Sequence, residues 1–81
     1  MYYVYLLKSQ KNLYRTYIGF TTNLGQRLKA HNAGKCINTC KDRPWVLVTY
    51  LAFVSEEKAI DFEKYIKSGS GYAFAKKRLW S

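Results

Sequence analysis

Acidic residues are scarce in this sequence. Its 81 residues include five Asp and Glu against 14 Lys and Arg, so the formal net charge is +9 at pH 7. A folded domain with this imbalance attracts polyanions, and nucleic acid is the commonest of them. A surface whose charge only keeps the protein soluble would give the same composition. The basic residues are spread along the whole chain rather than gathered in a tail, which favours nucleic acid or another polyphosphate as the partner.

Long hydrophobic runs are also missing. No stretch has the length that a membrane span requires, and no segment has the charge, apolar run and small residues of a signal peptide. We therefore expect an intracellular, cytoplasmic protein with no membrane partner. Hydrophobic residues still make up 48% of the chain, which excludes a disordered protein. A length of 81 residues leaves room for one hydrophobic core, so residues 1–81 are expected to form a single domain.

Cysteine and histidine are too few for a structural zinc site. Cys36 and Cys40 follow His31 in an H-x4-C-x3-C pattern. Structural zinc takes four ligands, usually as two close pairs, and the sequence has no further Cys or His to supply a fourth. The pattern favours two reduced thiols in a loop.

The hydrophobic pattern predicts a small α/β protein of the α+β type. It predicts strands at residues 2–9, 13–20 and 45–54, and helices from a cap at Thr21, Thr22 or Asn23 to about Asn32, from the Ser55 cap to about Lys67, and over residues 72–80. Gly34 is expected to stop the first helix, and the "SGSG" at 68–71 to break the second from the third. The order is therefore β-β-α-β-α-α, with a three-stranded antiparallel sheet flanked by helices.

Two predicted helices carry ionisable groups on the stripe that should face the core. The stripes at i, i+3, i+4 and i+7 spacing are Leu24, Arg27, Leu28 and His31 in the first, and Ala59, Phe62, Glu63 and Ile66 in the second. A buried charge is costly unless it is paired, hydrogen-bonded or bound to a metal. A shared polar pocket between the helices and the sheet explains both stripes.

The first two strands offer tyrosines to such a pocket. Alternation places Tyr5 on the same face as Tyr3 and Leu7, and Tyr17 on the same face as Gly19. Gly19 has no side chain, so a ligand's backbone could approach there. The hypothesis is that two tyrosines meet Arg27, His31 and Glu63 at one end of the sheet.

Each of these residues also has a purely structural interpretation that the pattern leaves open. Tyr5 and Tyr17 could be packing residues. Arg27 could extend from the edge of its stripe to solvent, or form a structural ion pair with Glu63. His31 could be a hydrogen-bonded core histidine.

The sequence resembles the GIY-YIG endonuclease superfamily over essentially its whole length. "YVY" at residues 3–5 stands in the place of the first motif, and "YIG" at 17–19 matches the second, with the family's spacing between them. An arginine and a histidine one turn apart on the next helix, Arg27 and His31, and a glutamate on the helix after the third strand, Glu63, also fit the family pattern. The closing "KSGSGYAFAKKRLW" resembles small stand-alone members related to the catalytic subunit of nucleotide-excision repair.

The resemblance implies hydrolysis of DNA phosphodiester bonds with one divalent cation, Mg²⁺ or Mn²⁺, held by Glu63. Tyr5 and Tyr17 would form a pair in which one deprotonates the attacking water and the other positions it, and which of them is the base stays open. Because an unperturbed tyrosine titrates near pH ~10, positive charge would have to lower the pKa of that base. Arg27 would neutralise charge on the scissile phosphate, and His31 would bond a tyrosine or the phosphate. The resemblance leaves open whether the DNA is branched, damaged or single-stranded, or whether RNA replaces it.

Two departures from the family pattern support a rival function. Tyr3 occupies the position of the motif's glycine, and Phe20 follows "YIG" where repair-type members carry lysine. The rival is a nucleic-acid-binding module of the same fold with impaired catalysis. A second rival is a domain whose basic face meets an acidic protein.

Basic residues outside the motifs are candidates for contacts with the DNA backbone. They are Lys35, Lys41, Arg43, Lys76, Lys77 and Arg78. Such contacts add affinity without sequence preference. Trp45 and Trp80 could stack on a base, although core positions suit both. We expect no attached targeting domain, so a preference for one DNA structure would come from this domain or from a protein partner.

Overall fold

A computed structural model describes residues 1–80 and confirms the order β-β-α-β-α-α. The strands are β1 (Tyr2–Ser9), β2 (Thr16–Thr21) and β3 (Trp45–Phe53), and the helices are α1 (Leu24–Asn32), α2 (Glu56–Lys67) and α3 (Gly69–Arg78). Both strand pairs are antiparallel, and the order across the sheet is β2-β1-β3. None of the helices in residues 1–80 is both long and apolar enough to cross a membrane.

The sheet separates two hydrophobic clusters. On one side, the α2–α3 face, Val4, Leu6 and Ile18 pack with residues of the two last helices. On the other side, the α1 face, Tyr5, Leu7 and Trp45 pack with Tyr17, Leu24, Leu28 and Leu47. The clusters divide in this way because successive residues of β1 point to opposite faces of the sheet. The predicted helix α1 is therefore alone in covering the face that carries the two tyrosines.

The hairpin between β1 and β2 is longer than the sequence predicts. β2 begins at Thr16 rather than at residue 13. The Ser9 hydroxyl accepts hydrogen bonds from the backbone N–H groups of Lys11 and Asn12, at 3.1 and 2.9 Å. The Ser9 N–H donates to the Arg15 carbonyl at 3.0 Å and closes the loop. Side-chain bonds to the backbone therefore hold residues 10–15 out of the ladder.

The connection between α2 and α3 confirms the predicted break and corrects the start of α3. The break falls at Ser68 alone, because α2 ends at Lys67 as expected and α3 begins at Gly69 rather than at residue 72. The Ser68 hydroxyl caps α3 by accepting from the Gly71 N–H at 3.4 Å. A Cβ on Gly71 would lie 1.8 Å from the Tyr65 carbonyl oxygen. Glycine is thus required here for the close approach of the two helices rather than for a break.

Candidate active site

Tyr5 lies at the centre of the α1 face. Its side chain is 1% exposed, and it pairs across the sheet with Gly19. A Cβ on Gly19 would lie 2.3 Å from both the Cζ and the hydroxyl oxygen of Tyr5. The space above Gly19 is therefore filled by the Tyr5 phenol, and the expectation that a ligand's backbone approaches there is wrong.

A chain of hydrogen bonds runs from Arg27 through Tyr5 to His31. Arg27 Nε donates to the Tyr5 hydroxyl oxygen at 3.3 Å, and that hydroxyl lies 2.8 Å from His31 Nε2. His31 Nδ1 lies 2.8 Å from Thr39 Oγ1, which in turn donates to the Cys36 carbonyl at 3.4 Å. Since the Thr39 proton is used on Cys36, His31 Nδ1–H donates to Thr39 and Nε2 accepts from Tyr5. This direction makes His31 a neutral imidazole.

Burial and neighbouring charges shift the pKa values of three residues in this chain of hydrogen bonds, Tyr5, Arg27 and His31. Burial raises the pKa of Tyr5 above its ordinary value, and outweighs the opposing hydrogen bond from Arg27. Burial, followed by the positive charge of Arg27, lowers the pKa of His31. The hydrogen bond to Tyr5 raises the pKa of Arg27. Tyr5 therefore does not have the lowered pKa that the base of the predicted tyrosine pair requires, and its phenol lies beside a neutral imidazole and a guanidinium cation.

Tyr17 joins the cluster through its ring alone. Its ring centroid lies 5.0 Å from that of His31 and 6.3 Å from that of Tyr5. The side chain is half-buried, and no hydrogen bond joins its hydroxyl to any residue among the 80 described. Of the two tyrosines, Tyr17 is therefore the one whose hydroxyl is free to bond a water or a substrate.

Thr39 is a site residue that the sequence analysis missed. It is fully buried, and its carbonyl accepts from Trp45 Nε1 at 2.8 Å while its hydroxyl holds His31. A threonine in a polar loop between two cysteines belongs to no helical or strand period, so no pattern identifies it. The structure places Trp45 in the core as a support for this loop.

Arg27 connects the buried chain to an open groove. The groove has a volume of ≈ 570 Å³ and no acidic lining residue, and its polar wall includes Thr21, Gln26, Arg27, Lys29 and Lys35. Only Nε of Arg27 is bonded to Tyr5, so the two terminal nitrogens have no partner in the described chain. A guanidinium presented in this way can bind a phosphate through two parallel hydrogen bonds.

Glu63 lies on a different helix from Arg27 and His31 and makes its own ion pair. It belongs to α2, which packs on the opposite face of the sheet, and its Oε2 pairs with Lys67 Nζ at 3.3 Å. No bond within residues 1–80 links Glu63 to Tyr5, Tyr17, Arg27 or His31. Thus the structure brings four of the five together, and the role of Glu63 stays a prediction.

The donors available to a metal are few. Within the described residues no group of three or more His, Cys, Asp or Glu side chains could hold an ion. Only Oε2 of the Glu63 carboxylate takes part in the ion pair with Lys67, so the other carboxylate oxygen lies outside that pair. Because Mg²⁺ retains several waters and accepts one or two carboxylates with substrate phosphates, this single carboxylate fits its chemistry. Cys36 and Cys40 are free thiols.

The six basic candidates for DNA contacts fall into two groups. Lys35, Lys41 and Arg43 lie in the loop between α1 and β3, whereas Lys76, Lys77 and Arg78 close α3. Lys35 lines the Arg27 groove. The Arg43 guanidinium packs over Gly34, whose φ is +78°. The two groups therefore belong to opposite faces of the sheet.

Phe20 occupies the α2–α3 face. Its ring stacks on that of Tyr2, with centroids 6.3 Å apart and planes inclined by 12°, and it packs against the hydrophobic cluster there. The residue that follows "YIG" therefore contributes to packing on the side away from Tyr5.

The sequence and the fold are both similar to those of known proteins. The profile of the GIY-YIG catalytic domain matches residues 1–77. A UPF0213 protein of Staphylococcus haemolyticus is 41% identical over 70 residues, which cover 85% of this chain and 83% of that protein. The solution NMR structure of the UPF0213 protein BH0048 from Bacillus halodurans superposes with a TM-score of 0.57 at 30% identity, covering 98% of this chain and 87% of that one.

A longer relative matches in one part only. The structure-specific endonuclease subunit SLX1 of Candida dubliniensis is 42% identical over 69 residues, which cover 76% of this chain but 24% of that protein. The similarity to that subunit thus concerns one segment of it.

Proposed function

The chain belongs to the GIY-YIG catalytic domain family, and from this premise we propose that it is a divalent-metal-dependent endonuclease that hydrolyses phosphodiester bonds in DNA. One observation carries the proposal: Arg27 is held by Tyr5 at the edge of a basic groove, with its terminal nitrogens unbonded within the described chain. Packing alone does not require a buried chain of hydrogen bonds that ends on a group able to bind phosphate. Such an arrangement suits a site that stabilises a charged transition state.

Arg27 binds the scissile phosphate in this mechanism. Its planar fork matches two phosphate oxygens and stabilises the negative charge that develops during attack by water. Tyr5 holds the guanidinium in place through its hydrogen bond with Arg27 Nε, and His31 in turn holds the Tyr5 hydroxyl. Their neutral state matters because an imidazolium at His31 would repel Arg27 and give up the acceptor that Tyr5 uses.

Tyr17 acts on the attacking water. Its hydroxyl bonds no residue in the described chain, and its ring packs against His31 in the same cluster. We assign to Tyr17 the orientation of the water and, when it acts as the phenolate, the acceptance of the water's proton. Tyr5 remains protonated and positions Arg27.

Glu63 would hold the cation, and Lys67 would release its carboxylate when the cation binds. A bound Mg²⁺ or Mn²⁺ supplies positive charge at the phosphate and at the leaving oxygen. The donor set of one carboxylate with water and phosphate oxygens suits either ion.

The role of Glu63 is tested by Glu63→Gln, with Asp61→Asn as the matched control. Asp61 is an exposed carboxylate two residues earlier on α2, so its loss changes the net charge equally. Plasmid and branched DNA are incubated with each protein and Mn²⁺, and binding is measured in EDTA. We expect Glu63→Gln to bind DNA and to lose cleavage, while Asp61→Asn cuts at the wild-type rate. Equal cleavage by both variants would remove Glu63 from the mechanism.

A binding module with impaired catalysis is the second candidate, and two changes in the family motifs favour it. Tyr3 stands in the place of the first motif's glycine, and Phe20 follows "YIG" where repair-type members carry lysine. In the cleavage assay above, tight DNA binding without cutting by a clean wild-type preparation would support this candidate.

A protein partner that directs the nuclease to its DNA is part of the proposal. The Candida dubliniensis relative is named a subunit of a structure-specific endonuclease, and this chain resembles one segment of it. We propose branched DNA as the first substrate to test, and repair or recombination as the setting.

A further inference from the structure

A second cavity lies on the α2–α3 face, near the end of the β1–β2 hairpin. Its volume is ≈ 260 Å³, and its walls include Lys8, Tyr14, Thr16, Tyr72, Lys76 and Trp80. Lys8 and Thr16 are partners across the hairpin, while the aromatic residues from α3 onward form the opposite wall. None of the lining residues is acidic. This cavity is separate from the Arg27 groove and shares no residue with it.

Trp80 gives the cavity an unused hydrogen-bond donor. The side chain is 8% exposed, yet its Nε1 has no hydrogen-bond partner in the described structure. Trp45 shows the usual arrangement, since its Nε1 donates to the Thr39 carbonyl at 2.8 Å. Buried N–H groups are almost always bonded, so this unpaired donor favours an acceptor from outside the described residues 1–80.

Aromatic faces and positive charge surround this donor. Tyr72 packs edge-on against Trp80, with ring centroids 5.7 Å apart. Tyr14, on the hairpin, is 96% exposed. Lys8 and Lys76 form no ion pair with any carboxylate in residues 1–80. Exposed aromatic rings beside unpaired cations are typical of surfaces that bind single-stranded nucleic acid, where bases stack and phosphates meet lysines.

The cavity is close to the proposed active site along the chain. Thr16 lines the cavity and Tyr17, the next residue, points to the α1 face. β2 is an edge strand of the sheet. A flexible strand that passes round this edge can therefore contact both faces, whereas a rigid duplex cannot follow so sharp a path.

We propose that this cavity binds a single-stranded segment of the nucleic acid substrate. Tyr72 stacks on a base, Lys8 and Lys76 contact phosphates, and an oxygen of the ligand accepts from Trp80 Nε1. The proposal rests on the proposed function for the nature of the polyanion. It adds that the protein holds its substrate on both faces of the sheet.

The test measures binding of a labelled twelve-nucleotide oligothymidylate by fluorescence anisotropy, in EDTA and at low salt. Tyr72→Ala is compared with Tyr65→Ala, an exposed tyrosine on α2 outside the cavity. Lys76→Gln is compared with Lys64→Gln, which removes the same charge from α2. Stacking of one base corresponds to roughly fivefold or more in affinity. We expect Tyr72→Ala and Lys76→Gln to weaken binding by at least that factor beyond their controls, and Tyr72→Phe to retain it.

A folding defect and the wrong ligand are tested separately. Far-UV circular dichroism checks that each variant is folded. The Tyr72→Phe variant remains informative even if Tyr72→Ala unfolds. Loss of affinity in a folded Tyr72→Phe variant would rule out stacking. Affinities of Tyr72→Ala and Lys76→Gln equal to those of their controls overturn the proposal. So does an equal loss by Tyr72→Ala on a duplex of the same length.

The result is independent of cleavage. Suppose that the protein cuts DNA, but that the cavity substitutions change its affinity for oligothymidylate no more than their controls do. This result overturns the present inference alone. A protein that binds through the cavity and never cuts leaves this inference in place and overturns the proposed function.

Discussion

His31 shows how much one residue can be predicted from its position. Its place on the inward stripe of α1 predicts burial, and the structure buries it completely. The sequence does not predict its two partners, because Tyr5 is 26 residues and Thr39 eight residues away. Thr39 in particular lies in a loop without periodicity. Contacts of this kind depend on the path of the whole chain and have no local signal.

The neutral state of His31 leads to a pH prediction. Folding lowers its pKa through burial and the charge of Arg27, so below the unfolded-state pKa of ~6.5 the unfolded chain binds a proton that the folded chain does not. Stability is then lost as pH falls. We expect the urea midpoint, followed by circular dichroism, to be lower at pH 5 than at pH 7. Because His31 is the sole histidine, the midpoint of His31→Gln should change little over this range. A wild-type midpoint that is constant or rises toward pH 5 would contradict the neutral imidazole.

At the scale of elements, the sequence predicts the helices and strands better than their connections. β1 is confirmed at Tyr2–Ser9, Asn23 caps α1 and Ser55 caps α2, because strand composition and capping residues act locally. The predicted starts of β2 and α3 were wrong. In both, local rules on turns and glycine are overruled by bonds and contacts that form only in the folded chain.

The α2–α3 junction gives a prediction with an internal control. Gly71→Ala should destabilise the protein by about 1–3 kcal/mol, because its Cβ would meet the Tyr65 backbone at 1.8 Å and overpacking of this kind costs that much. Gly69→Ala, in the same helix, meets nothing within 4 Å, and should leave stability unchanged or raise it by up to ~1 kcal/mol. Urea denaturation of both variants measures the change in the free energy of unfolding that each substitution causes. Equal stabilities would mean that the helices do not need the glycine at 71.

At the scale of the whole molecule, the +9 charge predicts a polyanionic partner but not its path. The structure divides the basic candidates between the loop that follows α1 and the end of α3. Only the fold reveals that Lys35 lines the groove beside α1, whereas Lys76 lines a cavity on the α2–α3 face. The structure brings together four of the five predicted site residues, because "YIG" and the Arg27/His31 spacing are local signals, whereas the position of Glu63 depends on how α2 lies relative to β2.

The most direct test of the account is the rate of DNA cleavage by Arg27→Ala relative to the wild type, with Mn²⁺ and branched or plasmid DNA. Arg27 is exposed on α1, so the variant should keep its circular dichroism spectrum and still bind DNA. If Arg27 stabilises the phosphate in the transition state, cleavage should fall by about 10²-fold or more. A folded variant that cuts at the wild-type rate, or one that fails to fold, would contradict the account.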